Sequence, residues 1–200
     1  MSPLSEQYPR DENTFIRTYT GRKYWPLNPH PEDVCIEDIA HHLALINRFA
    51  GATYEPYSVA QHSILVSKCI KDRLAPFIGA DRLRLLCLAC LLHDASEAYL
   101  QDIPRPFKHS PVMDLYREWE EKNERAIAEA LGVEYPWPTC VKSADIVLLR
   151  TEMRDLLGKK TEVYATWRLE DRPADLLPTI FPLEWRDAET KFLHLYRELQ

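Results

Sequence analysis

Glycine is scarce in this sequence, five residues in 200. With so few backbone-permissive positions, and with Leu, Ala, Glu and Arg plentiful, the chain is biased towards helix. Strand-like sequence is almost missing as well. β-Branched and aromatic residues alternate only over Phe15-Ile16-Arg17-Thr18-Tyr19-Thr20, before Gly21 and Lys23-Tyr24-Trp25, which predicts a short hairpin or extended arm. Positive charge is not in excess: the net charge is −6, which argues against a groove for a nucleic-acid polymer. A local basic pocket for one small phosphate ligand stays compatible with that balance. No long apolar run opens the chain, so neither a signal peptide nor a membrane partner is expected, and the expected place is the cytoplasm. A second Cys-x-x-Cys pair is also missing. The five cysteines, Cys35, Cys69, Cys87, Cys90 and Cys140, are odd in number and lie mostly within apolar helical patterns, as core thiols of a reducing compartment do. Repeats, low-complexity tracts and long linkers are absent. One domain over residues 1–200 follows, with an arm at 1–34, a helical core at 35–158 and a C-terminal crossing segment and helix at 159–200.

What is present is helical periodicity. Residues 1–13 are polar and form a loose tail on this basis. Ile36, Ile39, Leu43 and Ile46 repeat at helical spacing, predicting a first helix to about Phe49, stopped by Gly51. Ser58-x-x-Gln61 has the form of a capping box and opens a second helix carrying His62, Leu65, Val66, Cys69 and Ile70. A third helix is expected from about Asp81 to Leu100, apolar on nearly every side between Leu83 and Leu92. Asp102 to Lys108 is too proline-rich for helix. Ser110-Pro111 caps and opens a long amphipathic helix through Leu131, closed by Gly132. Val141, Ala144, Leu148 and Met153 outline a fifth helix ending at Gly158. An irregular stretch between Lys159 and Trp185 then leads to a last helix through Phe192, Leu195 and Leu199.

The most apolar run ends in His93-Asp94, and burying such a pair unpaired costs a few kcal/mol. A bland solution is a helix end hydrogen-bonded to neighbouring loops. His62 on the inner face of its helix, and Asp145 between Ala144 and Ile146-Val147-Leu148-Leu149, raise the same question. Two imidazoles and two carboxylates, His62, His93, Asp94 and Asp145, make a mixed N/O shell for one divalent transition metal. Mn, Co, Fe, Ni or Zn suits it, and a thiolate-bound structural zinc site looks different. Four protein ligands on an octahedral ion leave room for water, which the ion would make a nucleophile near neutral pH.

His62, then His93-Asp94, then Asp145 resembles the H…HD…D signature of HD-domain metal-dependent phosphohydrolases. His93-Asp94-x-x-Glu97-x-x-x-x-Asp102-x-Pro104-x-Pro106-x-Lys108 resembles the 5′-deoxynucleotidase branch of that superfamily, as does Asn47-Arg48-Phe49 upstream of Ser58-Val59-Ala60-Gln61-His62-Ser63. The similarity runs from about Ile39 to Leu157. It implies an all-α HD-domain helical bundle with a short N-terminal extended arm or hairpin, and a metal held by His62, His93, Asp94 and Asp145. It further implies that Glu97 and Asp102 orient or deprotonate water and help protonate the leaving oxygen, while Arg48 and Lys108 grip phosphate or sugar oxygens. The family often has Trp after the arginine, where this chain has Phe49, so stacking on the substrate differs there. The arm with Gly21-Arg22-Lys23-Tyr24-Trp25-Pro26 looks like that of phage and bacterial HD proteins, among them viral dATP triphosphohydrolases, and makes Arg22 and Trp25 either a substrate clamp or packing elements.

The implied activity is removal of phosphate from deoxynucleoside 5′-monophosphates by metal-activated water. Triphosphate release from a dNTP such as dATP is the alternative, with Mg as a further cation. Two other classes remain in view: a non-catalytic metal-stabilised regulatory module, which has no need of Glu97 and Asp102, and a cyclic-dinucleotide phosphodiesterase, which would show further His ligands. Expected partners are a small-molecule deoxynucleotide and, from the aromatic arm, further copies of the chain in a homo-oligomer. Glu152 is placed to support the site from behind. His41, His42, His109 and His194 are expected to be ordinary surface or cap residues.

Overall fold

A computed structural model describes residues 8–157 and 177–200. Strand β1 (Ile16–Arg17) pairs antiparallel with β2 (Lys23–Tyr24) in the register Ile16 to Tyr24 and Arg17 to Lys23. Gly21, at φ +85°, allows the left-handed step that returns the chain, and the Thr18 amide donates to the Arg22 carbonyl at 3.0 Å. Helices follow: α1 (Ile36–Leu45), α2 (Val59–Leu74), α3 (Ala80–Leu92), α4 (Glu97–Leu100), α5 (Arg105–Lys108), α6 (Asp114–Leu131), α7 (Thr139–Leu156) and α8 (Trp185–Leu199). The fold is all-α with a short N-terminal hairpin. Gly158 and the Lys159-to-Leu176 part of the expected crossing segment lie outside the described residues, as do residues 1–7.

α2 is the central element. It packs along α3 and α7, and α8 lies across α1, α2 and α3. From Leu86 to Leu92 every residue of α3 is buried, which explains why that run carries no polar face. One apolar cluster joins Ile39 and Leu43 of α1 to Leu88, Leu91, Leu92 and Phe192. A second joins Val66, Ile70, Leu86 and Leu148. Burying each of these large side chains is worth roughly 1.5–3 kcal/mol. Cys35, Cys69, Cys87 and Cys90 are buried and Cys140 half-buried, all as free thiols, and burial pushes the first four thiol pKa values up.

Several boundaries differ from the periodicity. α1 stops at Leu45 instead of running to Phe49, because Asn47 bridges Ser58 and the Arg48 amide donates to the Tyr57 carbonyl at 2.9 Å. Phe49 and Ala50 then take left-handed φ values of 56° and 50°, so Arg48–Gly51 is a strained turn that ends at Gly51. The third helix does not reach Leu100. After Leu92 the bonds tighten to i→i+3, Ala95 to Leu92 and Glu97 to Asp94, both 3.0 Å, and a separate single turn, α4, begins at Glu97. The proline-rich loop holds one helical turn, α5, since Pro106 tolerates a first-turn position. Ser110 opens a 3₁₀ turn at Pro111–Met113 before α6 and does not cap with its side chain. Half of the capping box forms: Ser58 Oγ accepts from the Gln61 amide at 3.2 Å. The Gln61 side chain instead donates to the Phe181 carbonyl and accepts from the Leu183 amide, both at 2.8 Å, which ties down the approach to α8. Residues 8–13 are anchored rather than loose: Arg10 pairs with Asp33 at 2.7 Å and Tyr8 packs edge-on against Trp119.

Glu124 on α6 gives the fold a testable pH dependence. Burial, with the Glu120 charge adding to it, pushes its carboxyl up to about 7, and Tyr135 Oη donates to it at 3.1 Å. A raised folded-state pKa means that stability present below the unfolded value is lost as pH rises through about 7. Glu124→Gln keeps an acceptor for Tyr135 and removes the charge. Its unfolding free energy from urea curves should match the wild type near pH 4.5 and exceed it by about 3 kcal/mol at pH 8. An equal difference at both pH values would show that Glu124 is not neutral in the fold.

Candidate metal centre

Three elements meet at one point. α2 brings His62, fully buried, from its first two turns. The tight turn after α3 brings His93 and Asp94, and α7 brings Asp145. The two imidazole rings lie 5.3 Å apart. His62, His93 and Asp94 each offer an atom within 4.8 Å of the others. Asp145 joins from the His62 side, its Oδ1 3.5 Å from His62 Nε2, while Lys142 holds its other oxygen at 2.6 Å.

The hydrogen bonds fix what each ring nitrogen can do. His93 Nδ1 faces the Cys90 carbonyl at 2.8 Å, and a carbonyl only accepts, so Nδ1 carries the proton. His62 Nδ1 faces Glu152 Oε1 at 2.6 Å. Burial opposes the Glu152 charge, but Arg48 and His62 override it and hold the carboxyl low, so it accepts from Nδ1–H. With the proton on Nδ1, the neutral form of each ring has its lone pair on Nε2. Both Nε2 atoms are buried and make no hydrogen bond. Asp94 Oδ2 lies near both, 3.5 Å from His62 Nε2 and 3.2 Å from His93 Nε2. In that form the two lone pairs and the carboxylate oxygen are all electron-pair donors, which a cation between them would satisfy. The donor set, imidazole nitrogen with carboxylate oxygen, suits a borderline divalent cation, and the backing of each imidazole by an acceptor is the arrangement that orients metal-bound histidines. Burial lowers the His93 pKa, favouring the neutral, ligating form. Burial works against the charge of Asp94 and Asp145, yet the imidazoles beside them hold both carboxyls below the usual range.

Around this point lie the other residues singled out from the sequence. The Arg48 guanidinium spans Asp94 and Glu152, 3.4 Å from each, held there by the strained turn behind it. Its Cζ sits 5.4 Å from the centroid of the half-buried Phe49 ring. Glu97 is buried with Oε2 making no hydrogen bond. Burial, reinforced by the charges of Asp94 and Asp102, pushes its carboxyl well above the ordinary range, which favours the protonated form. Asp102, in the loop after α4, is raised by burial as well. Lys108 Nζ is paired with Glu120 at 2.5 Å.

The arm residues stand apart. The Trp25 ring packs under the Arg10 guanidinium at 4.2 Å and against Phe15, and its Nε1 donates to the Asp11 carbonyl at 3.1 Å. Arg22 is exposed at the hairpin turn. Lys23, the arm's other cation, is paired with Glu12 at 2.5 Å. Two residues carry more than the sequence indicates. Tyr57 Oη donates to Glu152 at 2.9 Å, completing the set of groups that hold that carboxylate. His42 is not an idle surface histidine: it bonds the Ala98 carbonyl at 2.8 Å. No periodicity or motif marks either one.

Among the described residues no helix is long and apolar enough to cross a membrane. No family model matches the chain. An uncharacterized protein of Rhodobacter capsulatus is 38% identical over 148 residues, covering 71% of this chain and 72% of that protein. The uncharacterized protein YfdR of Escherichia coli K12 is 34% identical over 186 residues, 93% of this chain and 96% of YfdR. At that identity and over nearly the full length of both, the chain belongs to the same protein family as YfdR.

Proposed function

We propose that the protein is a metal-dependent phosphohydrolase of the HD type that removes phosphate from deoxynucleoside 5′-monophosphates. One observation carries the metal: two buried Nε2 atoms that make no hydrogen bond and lie within 3.5 Å of Asp94 Oδ2. His62, His93, Asp94 and Asp145 would hold a divalent transition metal. Bound there, such a cation lowers the pKa of a water molecule and neutralises phosphate charge.

The remaining chemistry belongs to the chain. Glu97, whose buried carboxyl favours the protonated form, would give a proton to the leaving oxygen. Asp102 accepts from the attacking water. Arg48 supplies a fixed positive charge, since Glu152 and Asp94 outweigh the burial that would lower its pKa. Lys108 adds a second cation, which phosphate oxygens would share with Glu120. This division suits phosphoryl transfer, where positioning and charge neutralisation do most of the work. A purely structural metal site would have no use for a buried carboxyl with an unbonded oxygen, and Glu97 therefore counts against a non-catalytic module.

The monophosphate is favoured over the dNTP because Lys23 is engaged by Glu12 within the arm and Trp25 packs there too. A cytoplasmic location fits the free thiols, and the exposed aromatics, Tyr54, Phe77 and Phe107 among them, fit self-association. The test loads the protein with Co, Mn, Zn, Ni, Fe or Mg and offers dNMPs, dNTPs and ribonucleotides. Inorganic phosphate from dNMPs is the expected product. Triphosphate from a dNTP would replace the substrate and leave the metal chemistry standing. No hydrolysis with any metal would end the proposal.

A further inference from the structure

α4 is one turn of four residues, Glu97–Leu100, too short to hold its own shape. Its position is imposed from outside, by three contacts. From α1, His42 Nδ1 lies 2.8 Å from the Ala98 carbonyl. From the arm, Tyr24 stacks face to face on Tyr99, with centroids 3.6 Å apart and planes 9° apart. From α6, Tyr116 Oη reaches the Gln101 carbonyl at 3.2 Å. Gln101, which ends the turn, sits at φ +73°, a conformation that a non-glycine residue holds only when its surroundings impose it.

His42, from α1, ties α4 to the arm. Its Nε2 lies 3.2 Å from the amide of Tyr19 in the arm hairpin. An amide only donates and a carbonyl only accepts, so the ring must be neutral with its proton on Nδ1: it donates to Ala98 and accepts from Tyr19. The arm is fixed independently. The Thr20 amide donates to Asp38 on α1 at 2.6 Å, and Tyr24 Oη donates to Asn123 on α6 at 2.6 Å. Asn123 Nδ2 in turn donates to the Pro26 and Trp119 carbonyls. The arm is thus a fixed strut, and His42 transmits its position to the backbone one residue from Glu97.

We propose that His42 is a positioning residue, which sets the aim of Glu97 through the Ala98 carbonyl and makes the arm part of the catalytic apparatus. This rests on the proposed function, in which Glu97 is one of the groups that act on substrate or water. Asparagine places a donor where Nδ1 stands, whereas glutamine reaches only the Nε2 position. Measured at saturating metal, His42→Gln should lower kcat about 10–100-fold, the scale of an ångström-level misplacement, with KM and Co affinity within about threefold of wild type. His42→Asn should recover most of that loss. In a Glu97→Gln background, His42→Gln should cost nothing further, because the group it aims is already gone. Amide exchange at Leu100 and Gln101 should rise in His42→Gln and not in His42→Asn.

Equal loss in the Asn and Gln variants, or a full additional loss in the Glu97→Gln background, overturns the role given to His42. An active wild type with an unaltered His42→Gln variant does so too. A wild type inactive on every substrate is a different result: it removes the function assigned to the site, and this inference with it.

Discussion

Replacing His93 by alanine is expected to remove metal binding and turnover together, with hydrolysis falling by at least about 10³-fold to background. The imidazole is one of three groups whose ligand atoms lie within 4.8 Å of one another, and its Nε2 has no other partner. Without it, His62 and two carboxylates remain, one of which Lys142 already holds by an oxygen. The fold should persist, since His93 closes α3 but Leu86 to Leu92 carry that helix's packing. Calorimetry separates the two consequences. Metal at a hundredfold excess over Kd adds about 2.7 kcal/mol to a protein that binds it only when folded. For a chain of this size that is a rise in Tm of roughly 5–10 °C. Wild type should show the rise and lose it in chelator, whereas His93→Ala should show none and melt near the chelated wild type. Retention of full phosphohydrolase activity by His93→Ala would refute the metal mechanism outright.

How far the sequence foretells such a site depends on the range of the forces involved. His93-Asp94 is conspicuous because it ends a run of residues buried on all sides, and burial of α3 follows from local composition alone. The Ser58 cap is equally local, one hydroxyl and an amide three residues on. The return path of Gln61 to Phe181 is not local, and the capping-box pattern hides it. The break between α3 and α4 is illegible for a related reason. Ala95, Ser96 and Glu97 are ordinary helix residues, and only the tertiary clamps on α4 favour the tighter turn. Trp25 reads in the sequence as either a substrate clamp or a packing element, and the partners it packs with, Arg10 and Asp11, lie in a stretch with no pattern of its own. Tyr57 and His42 act through single polar contacts across the fold, and such contacts leave no periodic trace.

Glu152 shows what those contacts are worth. It is fully buried and receives three donors: His62 Nδ1 at 2.6 Å, Tyr57 Oη at 2.9 Å and an Arg48 nitrogen at 3.4 Å. A carboxylate offers acceptors to all three, which an amide side chain cannot do. Glutamine at this position would bring one carbonyl oxygen and two N–H donors into a cluster that already donates. Tyr57 can turn its hydroxyl to accept, and Arg48 cannot. If the amide N–H faces His62, the ring relieves the clash by moving its proton to Nε2, the atom that should bind metal. Glu152→Gln should therefore weaken metal affinity about 10–100-fold, the usual consequence of removing a group that orients a ligand. Glu152→Ala should do this and also destabilise the fold by about 3–5 kcal/mol, because the Arg48 guanidinium loses its best-buried partner. A Co titration and a urea curve on each variant read the two effects separately. Unchanged affinity in Glu152→Gln would mean that His62 keeps its lone pair without a carboxylate behind it, and that the buried triad of Tyr57, Glu152 and Arg48 serves stability alone.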